Sequence, residues 1–327
     1  MAQKAIATAA QERRWERNSR IARRIGSALG GPVERRIERH LLTRAWQNFD
    51  PERLKAYLVR GYQNPVINVQ SILARHELIR ELYDDAHDAM MDAELQWVAD
   101  KHRALRARQR ALQKETGKDF SQVKRSKKWW RASAEIMGDQ DQFAALWTEA
   151  LRKPPTRRLA VIEAACGSAN DYRFFRTYGL APLLDYAGFD LTAVNIDNAR
   201  QMFPGVDFRI GDVQNIDAVD RSYDWAVAHD LLEHLSPAAC NRAIDELCRV
   251  AGRGVLISFF LMGKYPEHKV QARRFYHVNH LSRDRIHEQF ERHCTDIRWI
   301  HVRSFLEERT GFSDYYNNKA WTLIARR

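Results

Sequence analysis

The stretch Leu159-Ala160-Val161-Ile162-Glu163-Ala164-Ala165-Cys166-Gly167-Ser168-Ala169-Asn170 decides how the chain is read. An apolar run of strand length meets a cluster of small residues, and a helical pattern comes next. Small residues at such a turn let the backbone approach a ligand at a strand's carboxyl edge. Alone the loop is weak evidence, and its weight comes from the strands downstream of it.

Those runs, LLDYAGFD (183–190), VDFRI (206–210), YDWAVAH (223–229) and GVLISFF (254–260), alternate with helical segments near 170–178, 195–203 and 237–250. That alternation predicts a parallel sheet with helical crossovers. Beyond 260 come a loop, a helix near 282–292 and two β-rich segments, CTDIRWIHVRSF (294–305) and AWTLIAR (320–326). The second strand ends in Gly188-Phe189-Asp190, where a carboxylate can accept from two ribose hydroxyls. The third ends in Gly211-Asp212-Val213, where a carboxylate can accept from an adenine amino group and a backbone N–H can meet a ring nitrogen. The fourth ends in His229-Asp230-Leu231-Leu232-Glu233-His234-Leu235.

In this order the motifs resemble the class I, Rossmann-like S-adenosylmethionine-dependent methyltransferases, over roughly residues 155–327. The resemblance implies an α/β fold: a seven-stranded sheet, mostly parallel with an antiparallel last strand, preceded by an all-α N-terminal extension. The expected division is 1–120 for the basic helical extension and 121–327 for the methyltransferase domain, with the core sheet at 157–327. The implied cofactor is S-adenosyl-L-methionine, released as S-adenosyl-L-homocysteine. Carried over by position, Glu163 would orient the loop and approach the methionine amino group. Ala165, Cys166, Gly167, Ser168 and Asn170 would line the cofactor, Asp190 and Leu191 would meet the ribose, Asp212 and Val213 the adenine, and His229 would close the pocket. The two aspartates also suit helix caps, and Glu163 an ordinary strand end. One departure stands out, because the family usually has glycine where this chain has Ala165 and Ala169. Alanine resists φ > 0, so the loop is expected to differ in shape or to hold cofactor less tightly, with Ser168 and Asn170 as compensating polar groups.

The segment 261–281 is dense in polar groups (Lys264, Tyr265, His268, Arg273, Arg274, Tyr276, His277, Asn279, His280) and sits where an acceptor would lie. His229, His277 and His280 are candidate general bases, since imidazole suits proton removal near neutral pH. Tyr265, Arg274, Tyr276, Asn279 and Trp130 are candidate acceptor contacts. A solvated loop is the plainer reading of the same residues. A metal cluster of His268, His277 and His280 is disfavoured, so no metal is expected. Tyr315-Tyr316-Asn317-Asn318 suits either a hairpin turn or a pocket rim.

The first half reads as helical: 11–29, 33–47, 51–59, one or two long helices between Val66 and Glu115, and a portion at 121–152. His76, Glu77, Glu81, Asp84, Asp85, His87, Asp88 and Asp92 read as a solvated acidic face of one long helix. Lys124-Arg125-Ser126-Lys127-Lys128-Trp129-Trp130-Arg131 mixes cations with aromatics, as single-strand nucleic-acid binders do; packing of the two Trp on the sheet domain, or a roof over the active site, is preferred. The net charge is +11, and almost all of it lies in this half, with 12 Lys/Arg against 2 Asp/Glu in residues 101–131. Such a field can attract nucleic acid, anionic lipid or an acidic substrate.

In-line methyl transfer to O or N of a small molecule or glycan precursor is therefore the first reading. The LEHL-type fourth motif supports it, being unlike the Asn-Pro-Pro-Tyr of enzymes that methylate planar base nitrogens. An RNA or DNA methyltransferase gripping phosphates with the basic half is the second reading, and a non-catalytic scaffold the third. Residues 11–47 could cover the pocket, touch an anionic membrane or build a homodimer. Four separated cysteines and the lack of a long apolar run at the start point to the cytoplasm.

Overall fold

The computed structural model describes residues 64–83, 88–124, 126–137, 147, 151, 155, 157–272 and 277–327. The expected helices at 11–29, 33–47 and 51–59, and Asp84, His87, Arg274 and Tyr276, lie outside the described residues.

Nine strands form among the described residues, seven of them in one sheet: β1 (Leu159–Ala164), β2 (Leu184–Asp190), β3 (Asp207–Ile210), β4 (Tyr223–His229), β5 (Ala251–Phe259), β8 (Asp296–His301) and β9 (Trp321–Arg326). The order across it is β3-β2-β1-β4-β5-β9-β8. The first five strands run parallel, and β9 pairs antiparallel with both β5 and β8. This is the expected mostly parallel sheet with an antiparallel end. Helices α5 (Asn170–Thr177), α6 (Ala193–Met202), α7 (Pro237–Val250) and α8 (Arg283–Phe290) succeed the strands. Two-residue strands β6 (Met262–Gly263) and β7 (Leu281–Ser282) pair with each other.

The central strands β1, β2, β4 and β5 are largely apolar because both faces are covered. Val161, Tyr186, Phe208, Trp225 and Leu256 point into one core with α5 and α6, while Ile162, Ala187, Ala226 and Ile257 point into the other with α7 and α8. α7 shows how local sequence fixes a helix. Ser236 caps it, accepting from Ala239 N, and Pro237 occupies its first turn. Ala239, Cys240, Ala243, Ile244, Leu247 and Cys248 then bury one stripe at helical spacing.

Four more of the described helices precede the sheet: α1 (Val69–Arg80), α2 (Asp88–Thr116), α3 (Phe120–Val123) and α4 (Lys127–Met137). They share the first hydrophobic core with β1, β2 and α5. α1 starts at the Asn68 cap and is clasped to the sheet by Gln70 Nε2, which donates to Phe259 O (3.0 Å) and Trp321 O (2.8 Å).

Three expectations need correction. CTDIRWIHVRSF is a strand only to His301; α9 (Val302–Thr310) comes directly after it, because Val302 and Leu306 bury one helical turn apart. The acidic face is neither one helix nor solvated. His76 and Glu77 are buried on α1, Asp92 belongs to α2, and the acids meet arginines of the sheet and of α9. The Trp pair is split as well. Trp129 is buried edge-on to Phe120 within the helices, while Trp130 is 38 % exposed with its indole N–H donating to Lys124 O.

Candidate active site

The strand order reverses between β1 and β4, since β2 and β3 continue to one side and β5 to the other. A crevice at the carboxyl ends of these two strands is where open α/β sheets bind ligands. The loop 165–169 and the turn 230–235 form its walls.

The loop answers the question raised by its alanines. Ala165 (φ 56°), Gly167 (φ 55°) and Ala169 (φ 61°) all adopt the left-handed conformation. Alanine adopts that conformation at both positions and bears the strain, of order 1–2 kcal/mol per residue. A Cβ on Gly167 would point into open space, so its φ, and not crowding, requires glycine there. Cys166 is 3 % exposed, and burial pushes its thiol up, so it is no nucleophile.

Asp190, at the end of β2, holds this loop. One carboxylate oxygen accepts from Gly167 N (3.1 Å), the other from Thr192 N (2.8 Å) and Asn195 Nδ2 (3.2 Å). Three of about four acceptor positions are thus used within the protein, leaving one for a sugar hydroxyl. Ser168 Oγ donates to Asn195 Oδ1 (3.3 Å) and accepts from Asn198 (3.4 Å), tying the loop to α6. Leu191, directly after β2, and Ile210, at the end of β3, are 63 % and 57 % exposed. They make an apolar edge beside Asp212, which accepts from Gln214 N (3.0 Å), and the buried Val213. An exposed apolar pair at a strand edge suits the face of a planar ring.

Deeper in, the carboxyls lack counter-charges. Glu163 accepts from the Tyr186 hydroxyl (2.6 Å) and is pushed up to about 8 by burial, with Asp171 and Asp190 adding to the shift. Asp230, the residue after β4, is pushed well above the ordinary range by burial, then by Glu233 and Asp171. Glu233 accepts from Phe260 N (2.6 Å) and Leu261 N (3.3 Å), yet burial raises it to about 7. Asp230 Oδ1, Glu233 Oε2, His229 Nε2 and Asn170 Oδ1 are buried with no hydrogen-bond partner among the described residues. Polar atoms are rarely left so without a reason.

The acceptor-side candidates divide. His229 Nδ1 is tied to Ser258 Oγ (2.9 Å), which leaves Nε2 facing inward. His277 is 1 % exposed, its backbone N–H donates to His234 O (3.2 Å), and burial pushes its ring down. His280 lies within 3.3 Å of Lys319 Nζ and is pushed down by burial and by Lys319 and Lys269. Asn279 is buried with both ends of its amide used, accepting from Gln271 N and donating to Leu235 O. Its side chain braces the loop. Tyr265 stacks under Lys269 at 4.1 Å, and Trp130 sits on α4 against α2. Among the described residues, no three metal-ligating side chains converge.

Sequence reasoning passed over Asp230, Asp171 and Tyr186. The signal for Asp230 was present, an ionisable residue placed directly after an apolar strand. Tyr186 was hidden within such a run.

Residues 161–254 match the family model described as a methyltransferase domain. Those residues therefore form a methyltransferase domain, and the cofactor that such a domain implies is S-adenosylmethionine. No curated protein matches it. Solved structures resemble it at low identity. A methyltransferase of Methanosarcina mazei is 14 % identical over 54 % of this chain and 96 % of its own, with a TM-score of 0.40. A TehB-like methyltransferase of Corynebacterium glutamicum is 19 % identical over 60 % and 92 %, with a TM-score of 0.38. The 1,6-didemethyltoxoflavin N1-methyltransferase of Burkholderia thailandensis is 16 % identical over 56 % and 76 %, with a TM-score of 0.39.

The cofactor fits the residues present. It carries an ammonium and a sulfonium, and the crevice holds buried carboxyls that no lysine or arginine pairs with among the described residues. Asp190, Leu191, Asp212 and Val213 would hold its nucleoside, and Glu163 and Asn170 its amino-acid end. When bound it supplies an electrophilic methyl carbon, and the protein's part is to align an acceptor and exclude water.

Proposed function

We propose that this enzyme methylates an oxygen or nitrogen of a small molecule or saccharide held between the turn after β4 and the segment 261–281. The observation that supports the reading is how tightly this segment is laced over the crevice. Glu233 accepts from the backbone of Phe260 and Leu261, Asn279 N donates to Glu233 O (2.9 Å), and His277 N donates to His234 O. Asn317 Nδ2 joins the lacing by donating to Phe260 O (2.9 Å). Bracing of this kind suits a compact acceptor, since a long polymer needs an open track.

In-line attack requires the acceptor to face the methyl group from the side opposite the sulfur. His229 and Tyr316 lie there beside Asp230.

A second reading has its own observation. Arg108, Lys114, Lys118, Lys124, Lys127 and Arg131 are exposed on and between α2, α3 and α4, the stretch that also carries Trp130, a pattern compatible with single-stranded nucleic acid. Two measurements separate the readings. Transfer of labelled methyl from S-adenosylmethionine into pools of hydroxyl- and amine-bearing small molecules and sugars should succeed where RNA fails. Filter binding to single-stranded RNA at two salt concentrations should show no tight, steeply salt-dependent complex, and finding one would replace the first reading by the second.

A further inference from the structure

At the carboxyl edge Asp230 shares the left-handed backbone of Ala165 and Ala169 but carries an ionisable side chain; its φ is 49°, and its N–H donates to Ser258 O (3.0 Å) on β5. A left-handed aspartate is strained, and its Oδ1 is buried with no hydrogen-bond partner among the described residues. The groups that face it come from four elements. Glu233 is on the turn after β4 and Asp171 on α5, where Arg173 offsets Asp171 in part. Tyr316, before β9, has its hydroxyl pushed up by burial and by Asp230, and His229 precedes Asp230 on β4. None of Asp171, Asp230 and Glu233 forms an ion pair among the described residues.

We propose that Asp230 is the base of the transfer, receiving on Oδ1 the proton that the acceptor loses as it is methylated. The inference rests on the reading of the crevice as the cofactor site with the acceptor beside it. The balance is complete. The acceptor's lone pair forms the new bond to the methyl carbon, and the carbon–sulfur pair stays on sulfur. The O–H or N–H proton passes to the carboxylate, which ends neutral.

The surroundings also time the event. Without a cation in the crevice, burial and the neighbouring acids favour the protonated form of Asp230. A bound sulfonium and ammonium favour its ionised form. Once the sulfonium charge is gone, the same acids favour the protonated form and hold the proton.

Calorimetry in buffers of different ionisation enthalpy reads this directly, with S-adenosylmethionine and S-adenosylhomocysteine as probes and the full chain as the protein. At about pH 7.5, S-adenosylmethionine should release more protons than S-adenosylhomocysteine, because only it brings the sulfonium. In Asp230→Asn the difference between the two probes should shrink by up to about one proton, while His229→Gln leaves it unchanged. A difference that survives Asp230→Asn overturns the proposal, as does one abolished by His229→Gln alone. Failure of the wild type to bind S-adenosylmethionine at all overturns the cofactor reading, and the proposal with it. A second readout is turnover on any acceptor found. Asp230→Asn should lower kcat by roughly 10²–10⁴-fold and remove the acid limb of the pH profile, whereas an unaltered profile contradicts the assignment.

Discussion

Two regions of the molecule bury carboxyls, and they treat them in opposite ways. Where α1 and α2 meet the sheet, the buried acids have their cations. Glu94 binds Arg75 (2.7 Å) and His76 (2.8 Å); Glu77 binds Arg298 (2.7 Å) and Arg326 (2.7 Å); Glu81 binds Arg253 (2.8 Å) and Arg326 (2.6 Å). Burial alone would raise Glu94, but Arg75 and His76 bring it below the ordinary range. At the carboxyl edge, Glu163 and Glu233 are buried and Asp230 half-buried, none with a cation, and all are raised. Acids that only hold the fold come with their counter-charge built in. Under the proposed function, the unpaired acids are left for a positively charged ligand to complete.

The sharpest test of the contrast is to remove one acid from the paired region. Glu94→Gln leaves Arg75 buried without its counter-charge and should lower stability by about 3–5 kcal/mol, read from urea unfolding. A loss below about 1 kcal/mol would mean the paired acids are no different in kind from the others. At the unpaired edge the larger effect should be on ligand binding. Asp190→Ala should weaken S-adenosylmethionine by roughly 1.5–3 kcal/mol by calorimetry, since it removes both a hydroxyl acceptor and the anchor of Gly167.

The pH dependence should carry opposite signs in the two regions. A carboxyl raised in the folded state stabilises at low pH, and that contribution is lost as pH rises toward its folded value, which for Glu163 is about 8. The free protein should therefore lose stability between about pH 5 and 8, each unit of difference between folded and unfolded values being worth about 1.4 kcal/mol. Glu163→Gln should flatten that slope. Glu94, lowered in the folded state, acts in the reverse sense, and its contribution disappears only as the solution is made acidic. A melting profile with the same slope in Glu163→Gln and wild type would break the comparison. The smallest expected effect is from Ala165→Gly, which relieves left-handed strain but adds chain entropy to the unfolded state. The net gain should be under about 1 kcal/mol, or roughly 2–4 °C; a lower melting temperature would show that the loop carries no strain at that position.

Much of the sheet could be read residue by residue. YDWAVAH begins and ends where β4 does, and Pro237–Val250 is the expected helix 237–250, because apolar runs, caps and prolines act over a few residues. The misreadings came where distant contacts outweighed local pattern. HVRSF has strand-like composition, yet Val302 and Leu306 find a buried helical stripe against α2. Tyr316 could be read as turn or rim, and its place beside Asp230 depends on His102 of α2, whose ring packs against Tyr315 (4.9 Å) and Tyr316 (6.3 Å).

The sequence by itself determined the order of strands and crossovers, the small-residue loop and the acids placed one by one at strand ends, since each is set by spacing and side-chain size. Only the tertiary structure decided which of those acids carry charge. Glu77 meets Arg326 across 249 residues of chain, while Asp230 meets two further carboxyls. A carboxyl's protonation depends on the dielectric and the charges within a few ångströms, and those are assembled from parts of the chain that no local pattern relates.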